Sequence, residues 1–276
     1  MKTILVPTDF STCSNNAVNY AIGLAEKFNS KIIIHHSCHL PTLTIEAPFE
    51  EITEDQIFSA AKTNIKDYFN NKNLNNLKIE IEENISFGLA VDNIVSISKN
   101  KNIDLIVMGT KGASNIEELM LGSNTSSVME KAPCPVIAVP QNAEYKDIKK
   151  MVFATDYQEN DILSISFLSN IAKKYNSEIL VVHESVVTQT DNLERDLFKK
   201  FKNDVLENVS YENISFKLII GFDLSKDLNL ILEENNADIL AISTRKRNIF
   251  IKFFERSLTK KMTHHTKIPI IAFHSK

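Results

Sequence analysis

Residues 3–11 read TILVPTDFS, and residues 150–158 read KMVFATDYQ, which lays Thr8-Asp9 over Thr155-Asp156. Three further pairs follow in the same order. LAEKFNSKIIIHH (24–36) returns as IAKKYNSEILVVH (171–183), NIDLIVMGTKG (102–112) as NADILAISTRK (236–246), and PVIAVP (135–140) as PIIAFH (269–274). A repeat of this length is far longer than a solenoid unit and means two copies of one domain. The apolar runs within each copy (ILV, KIIIHH, DLIVMG, PVIAV) are short, continuous and rich in Ile and Val, as expected of strands buried on both faces.

Helical patterns separate these runs. Ala17, Val18, Ala21, Ile22, Ala25 and Phe28 follow helical spacing behind a candidate N-cap at Ser11 or Ser14. Thr53 with Gln56 forms a candidate capping box for a helix to about Asn70. A third helix is expected over about Asp92–Asn100 and a fourth after Gly122. Strands that alternate with helices call for parallel pairing through crossovers. The expected fold class is α/β, with two tandem doubly wound five-stranded parallel-sheet domains at 1–140 and 150–276. The polar segment 141–149 is the expected linker.

Composition narrows the function. Of 276 residues, 43% are apolar and 24% charged, and the net charge is −4, so no basic field points to nucleic acid. Three dispersed cysteines with no CxxC suit a reducing cytoplasm. MKTILVPTDFST reaches Asp9 too soon for a signal peptide, and no stretch has the length of a membrane span. The expected location is cytoplasmic.

The chain has six glycines, and three of them, Gly109, Gly112 and Gly122, lie within GTKGASNIEELMLGS (109–123). Gly109 ends an apolar run and Gly122-Ser123 opens a helix, so the stretch joins a strand end to a helix N-terminus. Glycine there permits positive φ or close backbone approach, and the helix start offers free N–H groups to an anion. Ser123 and Thr125 add hydroxyls. Neither GxxxxGK[ST] nor GxGxxG is present, so P-loop and dinucleotide-fold mechanics do not apply. On spacing alone, a loop that merely turns the chain is an equal reading.

The spacing G-x2-G-x9-G-S resembles the nucleotide-binding signature of the universal stress protein family. The opening ILVPTDFS and the ending APCPVIAVP (132–140) carry the same resemblance. It implies two adenine nucleotide alpha hydrolase-like modules, the first holding ATP over the sheet's carboxyl edge, with Mg2+ carried by phosphate oxygens and water. Carried over residue by residue, Pro7, Thr8 and Asp9 border adenine and ribose, and His36 or Ser37 adds a backbone contact. Gly109 and Gly112 approach ribose and phosphates, while Gly122, Ser123, Asn124 and Thr125 hold the phosphate chain. A helix-capping carboxylate is the plain alternative for Asp9.

In the second copy Gly109, Gly112 and Gly122 become Ser243, Lys246 and Arg256, and only Ser257 survives for Ser123. One nucleotide per chain is therefore expected. Arg245, Lys246, Arg247, Lys252, Arg256, Lys260 and Lys261 form a solvated basic face or, less simply, bind another anion. The cluster HHSCH (35–39) is a weak metal candidate, His264-His265 reads as surface or interface, and Cys13 reads as a structural thiol. Glu117 and Glu118 have no readable role.

The edges 135–139 and 269–273 are expected to pair within the chain as a pseudo-dimer, with a homodimer of whole chains left open. The leading function is an ATP-binding regulatory module with an unidentified protein partner and no dedicated catalytic residue. A slow ATP hydrolase or nucleotide-transferring enzyme, and a nucleotide-free scaffold, are the alternatives.

Overall fold

The computed structural model describes residues 1–38, 53–111, 121–185, 192–221, 223–243 and 268–274. The first half runs β1 (Thr3–Pro7), α1 (Thr12–Phe28), β2 (Lys31–Cys38), α2 (Glu54–Asn71), β3 (Ile81–Phe87), α3 (Ala90–Asn100), β4 (Leu105–Gly109), α4 (Ser123–Lys131) and β5 (Val136–Val139). The second runs β6 (Lys150–Ala154), α5 (Glu159–Tyr175), β7 (Glu178–Ser185), α6 (Asn192–Asn208), β8 (Ile214–Ile220), α7 (Leu224–Glu234), β9 (Ile239–Ser243) and β10 (Ile270–Phe273). The helix boundaries have local causes. Ser11 caps α1 by accepting from Ser14 N, and Thr53 with Gln56 makes the expected capping box on α2. The third helix begins two residues earlier than its apolar spacing suggests, at Ala90.

The ten described strands form one sheet in the order β3-β2-β1-β4-β5-β10-β9-β6-β7-β8. Within each half every pairing is parallel. The halves join through an antiparallel pair, Ile270 opposite Ala138 and Ile271 opposite Ile137. The two apolar edge strands thereby remove each other's unpaired backbone groups.

Side-chain alternation sorts the core onto two faces. Ile4, Val6, Leu105 and Val107 pack with α1 and α2, and in the second half Phe153, Ile179 and Val181 pack with α5 and α6. Leu5, Ile33, Ile106 and Met108 face α3 and α4, while Leu180, Val182 and Leu240 face α7.

The segment 141–149 is packed despite its polarity. Asn16 Nδ2 donates to Pro140 O (2.8 Å) and Ala143 O (2.6 Å), and Ala143 and Ile148 are buried. The ring of Tyr145 meets Tyr20 edge-on, and its hydroxyl bonds to that of Tyr175 at 2.8 Å. Gly23 makes room for that ring, since a Cβ at position 23 would lie 2.2 Å from it. Among the described residues no helix is long and apolar enough to cross a membrane.

Candidate functional site

From β1 the chain steps outward to β2 and β3, then returns to the other side of β1 for β4 and β5. The crevice beyond the carboxyl ends of β1 and β4 is therefore the switch point where ligands of open α/β sheets sit. A cavity of about 360 Å³ lies there. Ten expected site residues line it: Pro7, Thr8, Asp9, His36, Ser37, Gly109, Gly122, Ser123, Asn124 and Thr125. Gly112, Glu117, Glu118 and His39 fall outside the described residues.

One end of the cavity is a helix start. Gly122 is the N-cap of α4, which has no side-chain cap and no acidic residue in its first turn. Ser126 N is the amide that bonds back to Gly122 O (3.0 Å), so the amides of Ser123, Asn124 and Thr125 precede any i−4 acceptor. These amides and the positive end of the helix dipole suit an anion. Lys111 lines the same end.

Two expectations need correction here, and a third residue gains a second role. Gly122 has φ −59°, a conformation open to any residue, so positive φ is not why glycine stands there. The Thr125 hydroxyl is buried and donates to Gly109 O at 2.8 Å; it fixes the loop and is not a donor held ready for a ligand. Gly109 has a packing reason of its own. A Cβ there would sit 2.9 Å from the carbonyl carbon and the sulfur of Cys13, so its missing side chain lets α1 close on β4.

The opposite end is apolar with a polar rim. Ala90 and Ile94 of α3, together with Met108, supply the apolar wall. His35 and Ser37 project from β2 toward α3. The buried His35 bonds through Nδ1 to Asn84 Oδ1 (2.9 Å) and through Nε2 to Ser37 Oγ (2.8 Å). Burial lowers its pKa to about 4. Asn93 Nδ2 donates to Ser37 Oγ and to Phe87 O, both at 3.1 Å. His36 points to the other face of the sheet, where its Nδ1 donates to Thr8 O (2.8 Å) and its ring lies 4.7 Å from that of Phe10.

Thr8 Oγ1 accepts from Phe10 N (3.0 Å) and bonds to Ser14 Oγ (3.1 Å), which holds the turn between β1 and α1. Asp9 Oδ1 accepts from Ser11 N at 3.1 Å.

The model of the universal stress protein family matches residues 1–140. The chain belongs to the universal stress protein family. Universal stress protein MJ0531 of Methanocaldococcus jannaschii is 30% identical over 143 residues, which cover 50% of this chain and 81% of that protein. Universal stress protein MJ0577 of the same organism is 27% identical over 153 residues, covering 50% and 94%. A universal stress protein from Archaeoglobus fulgidus matches the fold across 99% of this chain and 96% of its own, with a TM-score of 0.69 at 18% identity. The resemblance of the fold thus spans both domains.

Inside this family fold the second domain repeats the turn but not the wall. His183 Nδ1 donates to Thr155 O (2.7 Å), as His36 does to Thr8 O. At the position of Ser14, however, stands the buried Asp161, whose Oδ2 accepts from Thr155 Oγ1 (2.7 Å) and Gln158 N (3.3 Å). Burial pushes its carboxyl group above the usual range. Glu184 occupies the strand position of Ser37, and Asp227 the helix position of Asn93. Burial, then Asp227 and Asp223, raise the pKa of Glu184 to about 7.

At the positions of Ser14, Ser37 and Asn93, where the first domain sets neutral hydrogen-bonding groups, the second therefore sets carboxyl groups. The basic residues from Arg245 to Lys261, with Ser257, His264 and His265, lie outside the described residues. Among the described residues no cluster of three His, Cys, Asp or Glu is placed to hold a metal ion.

Sequence reasoning missed Ser14, Ala90, Ile94, Met108 and Lys111 as lining residues and took His35 only as a metal candidate. Met108 borders the glycine stretch and Lys111 lies within it, so both were within reach. Ala90 and Ile94 look like any amphipathic helix face.

Proposed function

We propose that the first domain binds ATP in the β1–β4 crevice and that occupancy sets the conformation or partner choice of the chain. The observation that carries this reading is the uncapped start of α4 opening on a cavity with an apolar far wall. The phosphate chain lies along Ser123, Asn124 and Thr125 with Lys111 beside it, and the base lies toward Ala90, Ile94 and Met108. Gly112 joins the phosphate contacts. Mg2+ enters on the phosphate oxygens, because Asp9 is the single carboxylate lining the cavity among the described residues. The volume falls in the ordinary range of small-ligand sites, roughly 300–1,000 Å³.

The second domain, at 150–276, is a nucleotide-free partner, because its sequence puts Lys246 and Arg256 where the first domain has Gly112 and Gly122. The chain acts as a cytoplasmic regulatory module on an unidentified protein. Among the described residues that line the cavity there is no arginine to serve as a finger for rapid hydrolysis.

Two measurements test this. Mass spectrometry of small molecules released from gently purified protein should identify an adenine nucleotide. Titration with ATP should give one site per chain, lost in Gly122→Arg. An arginine adopts φ −59° without strain, so this variant reports occupied space and not a broken turn. Equal affinity in wild type and Gly122→Arg, or two equal sites, would refute the proposal.

A further inference from the structure

The polar rim at the base end of the cavity has a fixed direction of hydrogen bonding. Phe87 O only accepts, so the Asn93 group facing it and Ser37 is the amide nitrogen, and both of its hydrogens are in use. The structure turns Asn84 Oδ1 to Nδ1 of His35 (2.9 Å), and with the amide assigned this way round the oxygen can only accept, so Nδ1 carries the proton. A neutral imidazole with its proton on Nδ1 has a lone pair on Nε2. The Ser37 hydroxyl must then donate to Nε2 of His35 while its oxygen accepts from Asn93. One lone pair on Ser37 Oγ remains, and Ser37 lines the cavity.

We infer that Ser37, held as an acceptor by His35 and Asn93, makes the site select a base bearing an exocyclic amine over a 6-keto purine. The inference rests on the nucleotide-binding reading above and deepens it. An amine hydrogen completes the last valence of Ser37 Oγ, whereas a keto oxygen sets two acceptors against each other. Ser37 is the specificity-determining residue, and His35 is a positioning residue that acts through it. Removing His35 frees the serine hydroxyl to turn and donate, so the preference should weaken or invert.

The test is isothermal titration of the full chain with ATP and with ITP, an otherwise matched 6-keto triphosphate. Wild type should bind ATP roughly 10-fold more tightly, the low end for one unpaired hydrogen-bonding group, because Ser37 is only partly buried. Ser37→Ala should bring the ratio to within a few-fold of one, and His35→Leu should move it further toward ITP. The ratio is internal to each variant, so a general loss of affinity cancels. Ser37 is only partly buried, so Ser37→Ala carries the test alone should His35→Leu not fold.

Equal affinities in wild type, or an unchanged ratio in Ser37→Ala, overturn the inference and leave nucleotide binding standing. Failure of wild type to bind either nucleotide overturns the underlying reading and the inference with it.

Discussion

Gly109→Ala separates two roles of one glycine. The added Cβ would lie 2.9 Å from the carbonyl carbon of Cys13, 2.9 Å from its sulfur and 3.0 Å from its oxygen. Ordinary contact would need roughly half an ångström more, and two of the three atoms are main chain in the first turn of α1. A flexible side chain would swing away, but this turn is tied down by the Ser11 cap and the Thr8–Ser14 hydrogen bond. Helix and strand must separate, and overpacking of this kind costs ~1–3 kcal/mol.

That is a large share of the ~5–15 kcal/mol that stabilises a typical domain. Urea unfolding without nucleotide should show it as a lower midpoint at unchanged slope. Adding Cys13→Ala removes the sulfur but leaves the carbonyl carbon, so it should restore only part of the loss. An unchanged urea midpoint together with lost ATP affinity would show that Gly109 serves the ligand alone, and the packing argument would fall.

Two further outcomes follow from charge. Lys111→Met should weaken ATP more than adenosine and flatten the salt dependence of ATP affinity, as measured by titration from 50 to 500 mM NaCl, concentrations on the order of those that screen exposed charges; equal losses for both ligands would place Lys111 away from the phosphates. The two domains should also respond oppositely to pH. His35 binds its proton less well folded than unfolded, so the first domain should lose up to ~3 kcal/mol as pH falls from about 6.5 to about 4. Glu184 binds its proton better folded, so the second domain should lose stability as pH rises from about 4.5 to about 7. Domain-resolved hydrogen exchange of wild type and Glu184→Gln checks this, and an unaltered pH profile in the variant would remove Glu184 from the account.

The strands, the helix starts at Ser11 and Thr53 and the crevice at Gly109–Gly122 were legible because each is written in adjacent residues. What stayed hidden depends on residues brought together by folding. The reason for Gly109 lies at Cys13, in the helix that follows β1. The Asn84 and Asn93 that orient His35 and Ser37 sit on β3 and α3. The segment 141–149 reads as a polar link because YKDIKK masks Tyr145, half-buried against Gly23, and Ile148, buried in the core that both halves share.

The duplicated chain also supplies its own control for telling fold from site. Asp104 accepts from the amides of Lys2 and Thr3, and Asp238 does the same for Lys149 and Lys150. Asn29 and Asn176 end α1 and α5 in the left-handed conformation, and Asn102 with Asn236 shares φ 47°. Phe10 and Tyr157 share positive φ beside Thr8 and Thr155. Each repeated residue satisfies or shapes the main chain, a demand both copies meet because both build the same strand–turn–helix units.

By that standard Thr8 belongs to the fold even though it borders the cavity, since its hydroxyl performs the same turn-holding task as Thr155. The replaced positions are different in kind. Ser14 gives way to Asp161, Ser37 to Glu184, Asn93 to Asp227 and Gly109 to Ser243. The first, second and fourth of these line the first-domain cavity, and the third holds the second in place. Substitution has altered the crevice while the main-chain anchors stayed fixed, which is the pattern expected when one copy keeps a ligand and the other keeps only its architecture.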